Sequence, residues 1–450
     1  MKALCIIPIL VLVLCNPASA QPAGDSSGAN MPVEYSLHDL FAMALERSER
    51  VKISEEDVVV AERERDKARA ALLPGLAAFW DYTRYSKEKE ASSSFGTFSI
   101  QPESATLWGL RLYQTFSLGG REITSYNISR KGIEQSIHNF AAVSEDYLLE
   151  VAVRYFNVLK AQKATEIAMA NEQRLKKYRD EAAIKLKIGE VTRTLLLRAE
   201  AELSGAQSEL VKAENLLTFT RADLARFAGI SREFAIKEYD LQASDFLADS
   251  GLESLRETAF SNRPEMRSAA VQKKIAEDQV SVARAAHWPL LTVEGVYARR
   301  DEEPSSPFFN EESIYGILRL DLPLFEGGLR RAEVREAEAR KRQADLSFAD
   351  VKKTIGLQVA EAYLNVETQK GVLKSLTDQV TFARENFVMV EKQFRFGLAS
   401  SLDVLDANTL LVTSERELSR ARYNYQFAIV QLRRATGSLL ETLNGSFCLK

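Results

Sequence analysis

Residues 318–324 read LRLDLPL, and in Leu318-Arg319-Leu320-Asp321-Leu322 every second residue is a leucine while the residues between carry charge. A period of two puts the leucines on one face of a strand and the ions on the other. Leu324 extends the apolar face; Arg319 and Asp321 hold the ionic one. The preceding stretch from Thr292 to Arg299 is also strand-like, and a polar connection from Arg299 to Ser313, RRDEEPSSPFFNEES, joins the two. Residues 291–299 and 314–325 are therefore expected to form a hairpin of strands.

The hairpin has a counterpart upstream. Trp108, Leu110 and Leu112 face one way and Arg111 and Tyr113 the other, after Phe79-Trp80-Asp81-Tyr82, which predicts strands over 76–86 and 106–117. A Ser-, Lys- and Glu-rich loop from Ser86 to Thr106 connects them. Gly119-Gly120 recurs 208 residues later as Gly327-Gly328, and the same offset relates Tyr155 to Tyr363, Asn157 to Asn365, Gly189 to Gly397 and Gly229 to Gly437. Upstream, Ala68-Arg69 and Pro74 recur as Ala283-Arg284 and Pro289 at an offset of 215. The change of offset puts an insertion between Pro74 and Trp108, in a loop, where insertions are tolerated. The chain thus reads as two copies, 36–229 and 251–437, with a linker at 230–250 and a tail at 438–450.

Each copy ends in a long helical hairpin. Ile133 to Ile188 has neither Gly nor Pro, and Ile133, Ile137, Phe140, Ser144, Tyr147 and Val151 follow the spacing of a coiled-coil seam. A helix over 121–187 is roughly 100 Å long at 1.5 Å per residue. Gly189 ends it, Thr192 or Thr194 can cap the next, and that one spans 192–228. Copy two repeats the plan over 329–396 and 400–436, turning at Gly397 with Ser400 or Ser401 as cap.

Residues 1–20 have the form of a secretory signal: Lys2, an apolar run from Ala3 to Leu14, and Ala18-Ser19-Ala20 before Gln21. Cleavage there removes Cys5 and Cys15 and leaves Cys448 alone, so no disulfide within the chain is expected. Lipidation at Cys15 fits less well, because bulky Leu14 stands where a small residue is wanted. After Leu14 nothing approaches the roughly 18 consecutive apolar residues of a transmembrane helix, so any membrane crossing must use strands. A formal charge of −4 argues against nucleic acid as partner. His38, His138 and His287 are scattered and lack a Cys or His neighbour at metal-ligand spacing, and no phosphate loop, nucleophile elbow or HExxH is present. Neither an enzyme, a cofactor nor a metal is predicted.

Strands of about ten residues, aromatic residues near their ends and long polar loops on one side suit an outer-membrane barrel. A half-exposed soluble hairpin alternates too. The competing reading is therefore a soluble periplasmic coiled-coil adaptor or scaffold, which accounts for the helices and leaves the duplicated strands without a purpose. Four strands cannot close, and bare amides in lipid cost several kcal/mol each, so two or three chains must combine.

The tip and returning helix of copy two carry Phe396-Gly397, Leu402-Asp403-Val404-Leu405-Asp406-Ala407 and Ala421-Arg422-Tyr423-Asn424-Tyr425. With Pro323-Leu324-Phe325-Glu326-Gly327-Gly328 and Asn262-Arg263-Pro264-Glu265, these make the chain resemble the TolC-type outer-membrane efflux channels over nearly all its length. The resemblance implies a mainly α fold with membrane β: a homotrimer with a twelve-stranded barrel in outer-membrane lipid and a periplasmic helical barrel. Such a duct serves tripartite efflux or type I secretion, docked to a periplasmic membrane-fusion adaptor and an inner-membrane transporter. Docking is expected at the tips, Gly189, Thr192, Thr194, Gly397, Ser400 and Ser401. Trp108, Leu110, Leu112, Leu318, Leu320, Leu322 and Leu324 are expected to face lipid, with Arg111, Arg319 and Asp321 facing the lumen. The resemblance also implies that Asp403 and Asp406 ring the periplasmic mouth as a gate. By spacing alone they share a helix face and equally suit the positive end of a helix dipole; copy one has Leu195 and Arg198 there. Where the best-studied channel of this type fastens its closed tip by polar links, this chain has Ala399, Phe394 and Leu195, so a closed state that is looser or differently held is expected.

Overall fold

The computed structural model describes residues 33–94, 96–231, 234–238, 251–305 and 310–440. The expected signal at 1–20, most of the expected linker and the last ten residues of the tail lie outside them. After a short strand β1 (Val33–Tyr35), copy one runs α1 (Leu37–Arg47), α2 (Glu49–Ala70), β2 (Gly75–Arg84), β3 (Lys89–Ser93), β4 (Gly96–Gln101), β5 (Ser104–Ser117), α3 (Arg121–Lys187) and α4 (Arg193–Ala228). Strand β6 (Phe234–Ile236) follows. Copy two runs α5 (Leu252–Asn262), α6 (Pro264–Ala285), β7 (Leu290–Glu303), β8 (Glu312–Asp321), α7 (Leu329–Arg395) and α8 (Ser401–Thr436). From α1 to α5 and from α2 to α6 the offset is 215 residues; from α3 to α7 and from α4 to α8 it is 208.

Helices α3 and α7 have 67 residues each, roughly 100 Å of unbroken helix. Both stop where glycine takes up the left-handed conformation, at Gly189 (φ 78°) and Gly397 (φ 74°). The next amides turn back, Glu190 N donating to Lys185 O at 3.0 Å and Leu398 N to Gln393 O at 2.8 Å, which satisfies carbonyls the helix end would otherwise leave bare. Thr192 is the N-cap of α4 but makes no side-chain cap bond, whereas Ser400 caps α8 in a full capping box. Thr194 and Ser401 fall within the helices rather than at the cap.

Four strands form one antiparallel sheet in the order β2-β5-β7-β8, so the two copies meet at the β5–β7 ladder. Three boundaries differ from the sequence reading. The segment from Ser86 to Thr106, expected as a loop, contains the separate ribbon β3–β4. Strand β7 continues past Arg299 to Glu303, because β5 offers its backbone partners as far as Ser104. Strand β8 stops at Asp321: Pro323 has no amide to give a ladder, so Leu322 and Leu324 lie past the strand in an exposed passage to α7.

Helix neighbours follow the strand order. Next to the sheet the row is α2–α3–α6–α7, and toward the turns it is α4–α3–α8–α7. Where the rows meet, a belt buries the centre of α3, with Leu148, Val151, Tyr155 and Phe156 packed against Leu40 and Phe41 of α1 and Ile429 and Leu432 of α8. Strands β1 and β6 pair in parallel across this belt. Tyr155 Oη donates to Lys237 O at 2.5 Å and Tyr423 Oη to Glu238 Oε1 at 2.6 Å, strapping the post-β6 segment to both copies.

The copies are also locked by buried charge. Arg434 of α8, 6 % exposed at its side chain, meets Glu145 (3.1 Å) and Asp146 (2.7 Å) of α3, and Glu265 of α6. Arg263 joins through Glu265 (2.9 Å) and Gln358 of α7 (2.5 Å). Three carboxylates thus share two guanidiniums. Burial pushes the Glu145 carboxyl up to about 7 despite the pull of Arg434. Glu265 suffers burial as well, but its bonds to Arg263 and Arg434 hold it at about 2. A carboxyl raised on folding favours the fold when protonated: the contribution of Glu145 is full below its unfolded value near 4.5 and is lost as pH rises through about 7. Glu265 titrates well below that window. Thermal unfolding followed by circular dichroism should therefore show a higher midpoint at pH 5.5 than at pH 8, corresponding to about 2 kcal/mol of stability per chain. Glu145→Gln should flatten that dependence; an unchanged slope contradicts the assignment.

Candidate functional site

Residues paired across an antiparallel ladder point to the same side. The registers Leu76↔Leu112, Ala78↔Leu110, Trp80↔Trp108, Leu110↔Tyr297, Val293↔Leu318 and Leu291↔Leu320 therefore assemble one continuous face from all four strands. It carries Trp80, Tyr82, Trp108, Leu110, Leu112, Phe116, Ile314, Leu318 and Leu320, all exposed in the chain. The rings of Trp80 and Tyr82 stack at 6.4 Å, and Trp108 meets Tyr297 edge-on at 6.2 Å. The opposite face holds Asp81, Arg111, Glu294, Arg300, Glu302, Arg319 and Asp321. A soluble sheet would be built the other way round: here Leu318 is 73 % exposed, while Val296 on the ionic face is 3 % exposed.

The ionic face is organised around Arg111. Its Nε lies 2.8 Å from Glu294 Oε1, and its guanidinium stands 5.4 Å from the centroid of the Phe79 ring. Phe79 in turn covers Gly109, where an added Cβ would meet Tyr297 O at 2.0 Å, so only glycine fits. Arg319 and Asp321 are exposed on the same face. On their outer sides β2 and β8 have no strand partner among the described residues.

At the far end, the expected gate acids are both exposed near the start of α8. Asp403 closes the capping box, its Oδ2 accepting from Ser400 N and Ser400 Oγ at 2.7 Å each. Those bonds hold its carboxyl below the usual range. Two of the three positions expected to lack polar links are filled by packing. Leu195 and Phe394 lie against Leu175, Tyr178, Leu203, Val404 and Leu405 in an apolar cluster that ties the two turns together. Tyr178 stands 5.7 Å from Phe394 ring to ring, and Lys185 Nζ lies 4.7 Å from the Phe394 centroid.

Sequence reasoning missed the polar rungs above this cluster. Asn408 Nδ2 donates to Asn171 Oδ1 (2.9 Å) and its Oδ1 accepts from Arg174 Nε (3.2 Å), joining α8 of copy two to α3 of copy one. Glu415, about two turns further on, takes Arg384 at 3.0 Å. No local pattern announces them, because each pair is separated by 31 residues or more. Among the described residues no helix is long and apolar enough to cross a membrane and no His, Cys, Asp and Glu cluster could hold a metal.

The sequence matches the family described as outer membrane efflux protein over residues 40–230 and 255–438, one match per copy. It is 27 % identical to the outer membrane protein TolC of Vibrio cholerae serotype O1 over 324 residues, 70 % of this chain and 73 % of that one. With the alkaline protease secretion protein AprF of Pseudomonas aeruginosa it shares 26 % identity over 423 residues, 90 % and 85 % of the two chains. Among solved structures, the Campylobacter jejuni CmeC outer membrane channel superposes with a TM-score of 0.78 at 16 % identity, covering 90 % of this chain and 86 % of that one. The open-state Neisseria gonorrhoeae MtrE outer membrane channel gives 0.72 at 23 %, covering 90 % and 89 %. The chain belongs to the outer membrane efflux protein family, an outer-membrane channel protein whose helices stand in the periplasm.

Proposed function

We propose that three copies of this chain close into a passive exit duct, with a twelve-stranded barrel in the outer membrane and a helical tube below it, fed by an inner-membrane transporter through a periplasmic adaptor. The observation that carries this reading is that both layers of the chain are unfinished on the same two sides. Strand β2 leads from α2, and strand β8 leads into α7. The sheet ends at β2 and β8, and the helix rows end at α2 and α4 on one side and at α7 on the other.

Helix α7 is apolar on two opposite faces. Ile355, Val359, Ala362, Val366 and Val380 pack inward against the rest of the chain. Leu346, Leu357, Leu364, Phe382 and Met389 are between 59 % and 71 % exposed. At 3.6 residues per turn these five fall within about 40° of one another, on the side away from the inward face. On the far edge of the chain, Ile53 and Val60 of α2 and Val211 and Phe219 of α4 are exposed as well. A neighbouring copy's α7 laid along α2 and α4 covers both sets, and β8 paired with a neighbour's β2 satisfies the bare amides. Conduction down such a tube needs no site for nucleotide or metal, and the work of transport falls to the partner.

In this reading Trp108, Leu110, Leu112, Leu318 and Leu320 contact lipid, and Arg111, Arg319 and Asp321 line the lumen. Leu322 and Leu324 mark the barrel's lower rim. Asp403 and Asp406 sit at the mouth, Asp403 doing double duty as cap. The turns around Gly189 and Gly397, with Thr192, Thr194, Ser400 and Ser401, meet the adaptor.

Purified from outer membranes, the protein should run as a detergent-resistant species of three times the chain mass. Leu364→Asp combined with Phe382→Asp should shift it to monomer; recovery of the same oligomer removes α7 from the interface. Leu320→Asp should impair membrane assembly, since a charge on the lipid-facing side of a barrel strand is destabilising, whereas Arg319→Gln should assemble normally. Equal tolerance of both would favour a solvated sheet. In planar bilayers, Asp403→Ala with Asp406→Ala should weaken cation preference and divalent block without loss of assembly, and unchanged currents would remove the acids from the mouth.

A further inference from the structure

The two turns of the chain share a backbone plan but not a surface. From Lys176 to Arg198, around the copy-one turn, seven cations stand against three carboxylates, a net charge of +4. The corresponding stretch of copy two, Arg384 to Asp406, has three cations against four carboxylates, a net charge of −1.

Pairing sharpens the contrast. In copy two Arg384 is taken up by Glu415, Arg395 by Glu391 at 2.8 Å, and Asp403 by its own cap. Of the copy-one cations from Lys176 to Arg198, only Arg179 has an ion-pair partner among the described residues, Asp180 at 2.7 Å, while Lys185 lies over the Phe394 ring. Lys176, Lys177, Lys187, Arg193 and Arg198 are exposed, with no carboxylate within ion-pair distance among the described residues. Beside them Ile184, Ile188 and Leu197 are 55–64 % exposed. Lys177, Ile184 and Ile188 fall on one face of α3 at helical spacing, and Lys176 and Lys187 flank it.

We infer that the copy-one turn is the docking surface that selects the partner, and that it fits a periplasmic helical hairpin carrying carboxylates beside an apolar turn. The inference rests on the tip-docking reading above and adds the chemistry of the partner. A flat lipid surface fits less well. Ile184 and Leu197 lie about one to two turns back from Gly189 on two different helices, so the apolar surface runs up the side of the hairpin, where a helix can lie along it. Unpaired cations around an apolar centre are the arrangement that steers an acidic partner and rejects a basic one. The near-neutral copy-two turn supplies no such choice, so in a closed ring the charged turns alternate with neutral ones and set the partner's register.

The test uses the intact oligomer in detergent and three probes: a synthetic disulfide-closed helical hairpin with glutamates beside a leucine-bearing turn, its lysine twin, and phosphatidylglycerol vesicles. Fluorescence anisotropy at about 50 mM salt should show the acidic hairpin binding at least about tenfold more tightly than the twin, with the advantage lost near about 300 mM. The triple variant Lys176→Glu, Lys177→Glu, Lys187→Glu should reverse the preference, and Lys392→Glu in copy two should leave it unchanged. Equal binding of the two hairpins, preference for the lysine twin, or binding to the vesicles alone overturns the inference. An oligomer that conducts in bilayers yet fails to discriminate refutes this inference while leaving the duct intact; failure to assemble or conduct refutes the duct itself.

Discussion

A backbone amide at the rim of a sheet cannot stay bare in hydrocarbon, and that constraint organises the whole molecule. The chain presents an apolar face and a sheet whose outer strands are β2 and β8, and in the proposed duct it is complete only when another copy pairs with each. The demand passes down the chain, because β8 continues into α7 and β2 is entered from α2. An edge helix with apolar stripes on opposite sides is the helical counterpart of an unpaired strand. One rotation axis then has to serve both layers, which is why a sheet of four short strands is coupled to helices of 67 residues.

Duplication supplies the wall twice, and the differences between copies show where architecture ends and specialisation begins. The buried group around Arg434 links α3 of copy one to α6 and α8 of copy two, and its members Arg263 and Glu265 have no like-charged counterparts in copy one, where Ser48 and Arg50 stand. Removing Arg434 would strand buried carboxylates, at about 3–5 kcal/mol for a broken buried pair. At the turns the division is of another kind. Asp403 closes the capping box of its helix where copy one has Leu195, and Leu195 packs with Phe394 in the apolar cluster at the turns.

The long helices were legible because Ile133 to Ile188 lacks breakers and the glycines at its end recur in register. The alternation at Leu318 to Asp321 fixed which side chains share a face, since a period of two leaves no freedom. Strand ends were not legible where pairing decided them: Arg300 to Glu303 read as loop until β5 is seen beside them, and Leu322 read as strand although Pro323 ends the ladder. The ribbon β3–β4 hid in a polar stretch with no apolar rhythm. The rungs Asn171, Arg174 and Asn408, and the Arg434 group, depend on contacts between residues more than a hundred positions apart, which no local pattern encodes.

In the proposed duct β8 of one copy pairs with β2 of the next, and three such seams close the ring. Disulfide trapping across the seam tests it most directly. In a Cys448→Ser background, Ala78→Cys on β2 is combined with single cysteines placed in turn along β8, the protein is oxidised in intact outer membranes, and the products are separated by mass. Efficient cross-linking is expected at one register, with products that run from dimer to trimer and stop. No cross-link at any β8 position, or a ladder that climbs past three, would contradict it.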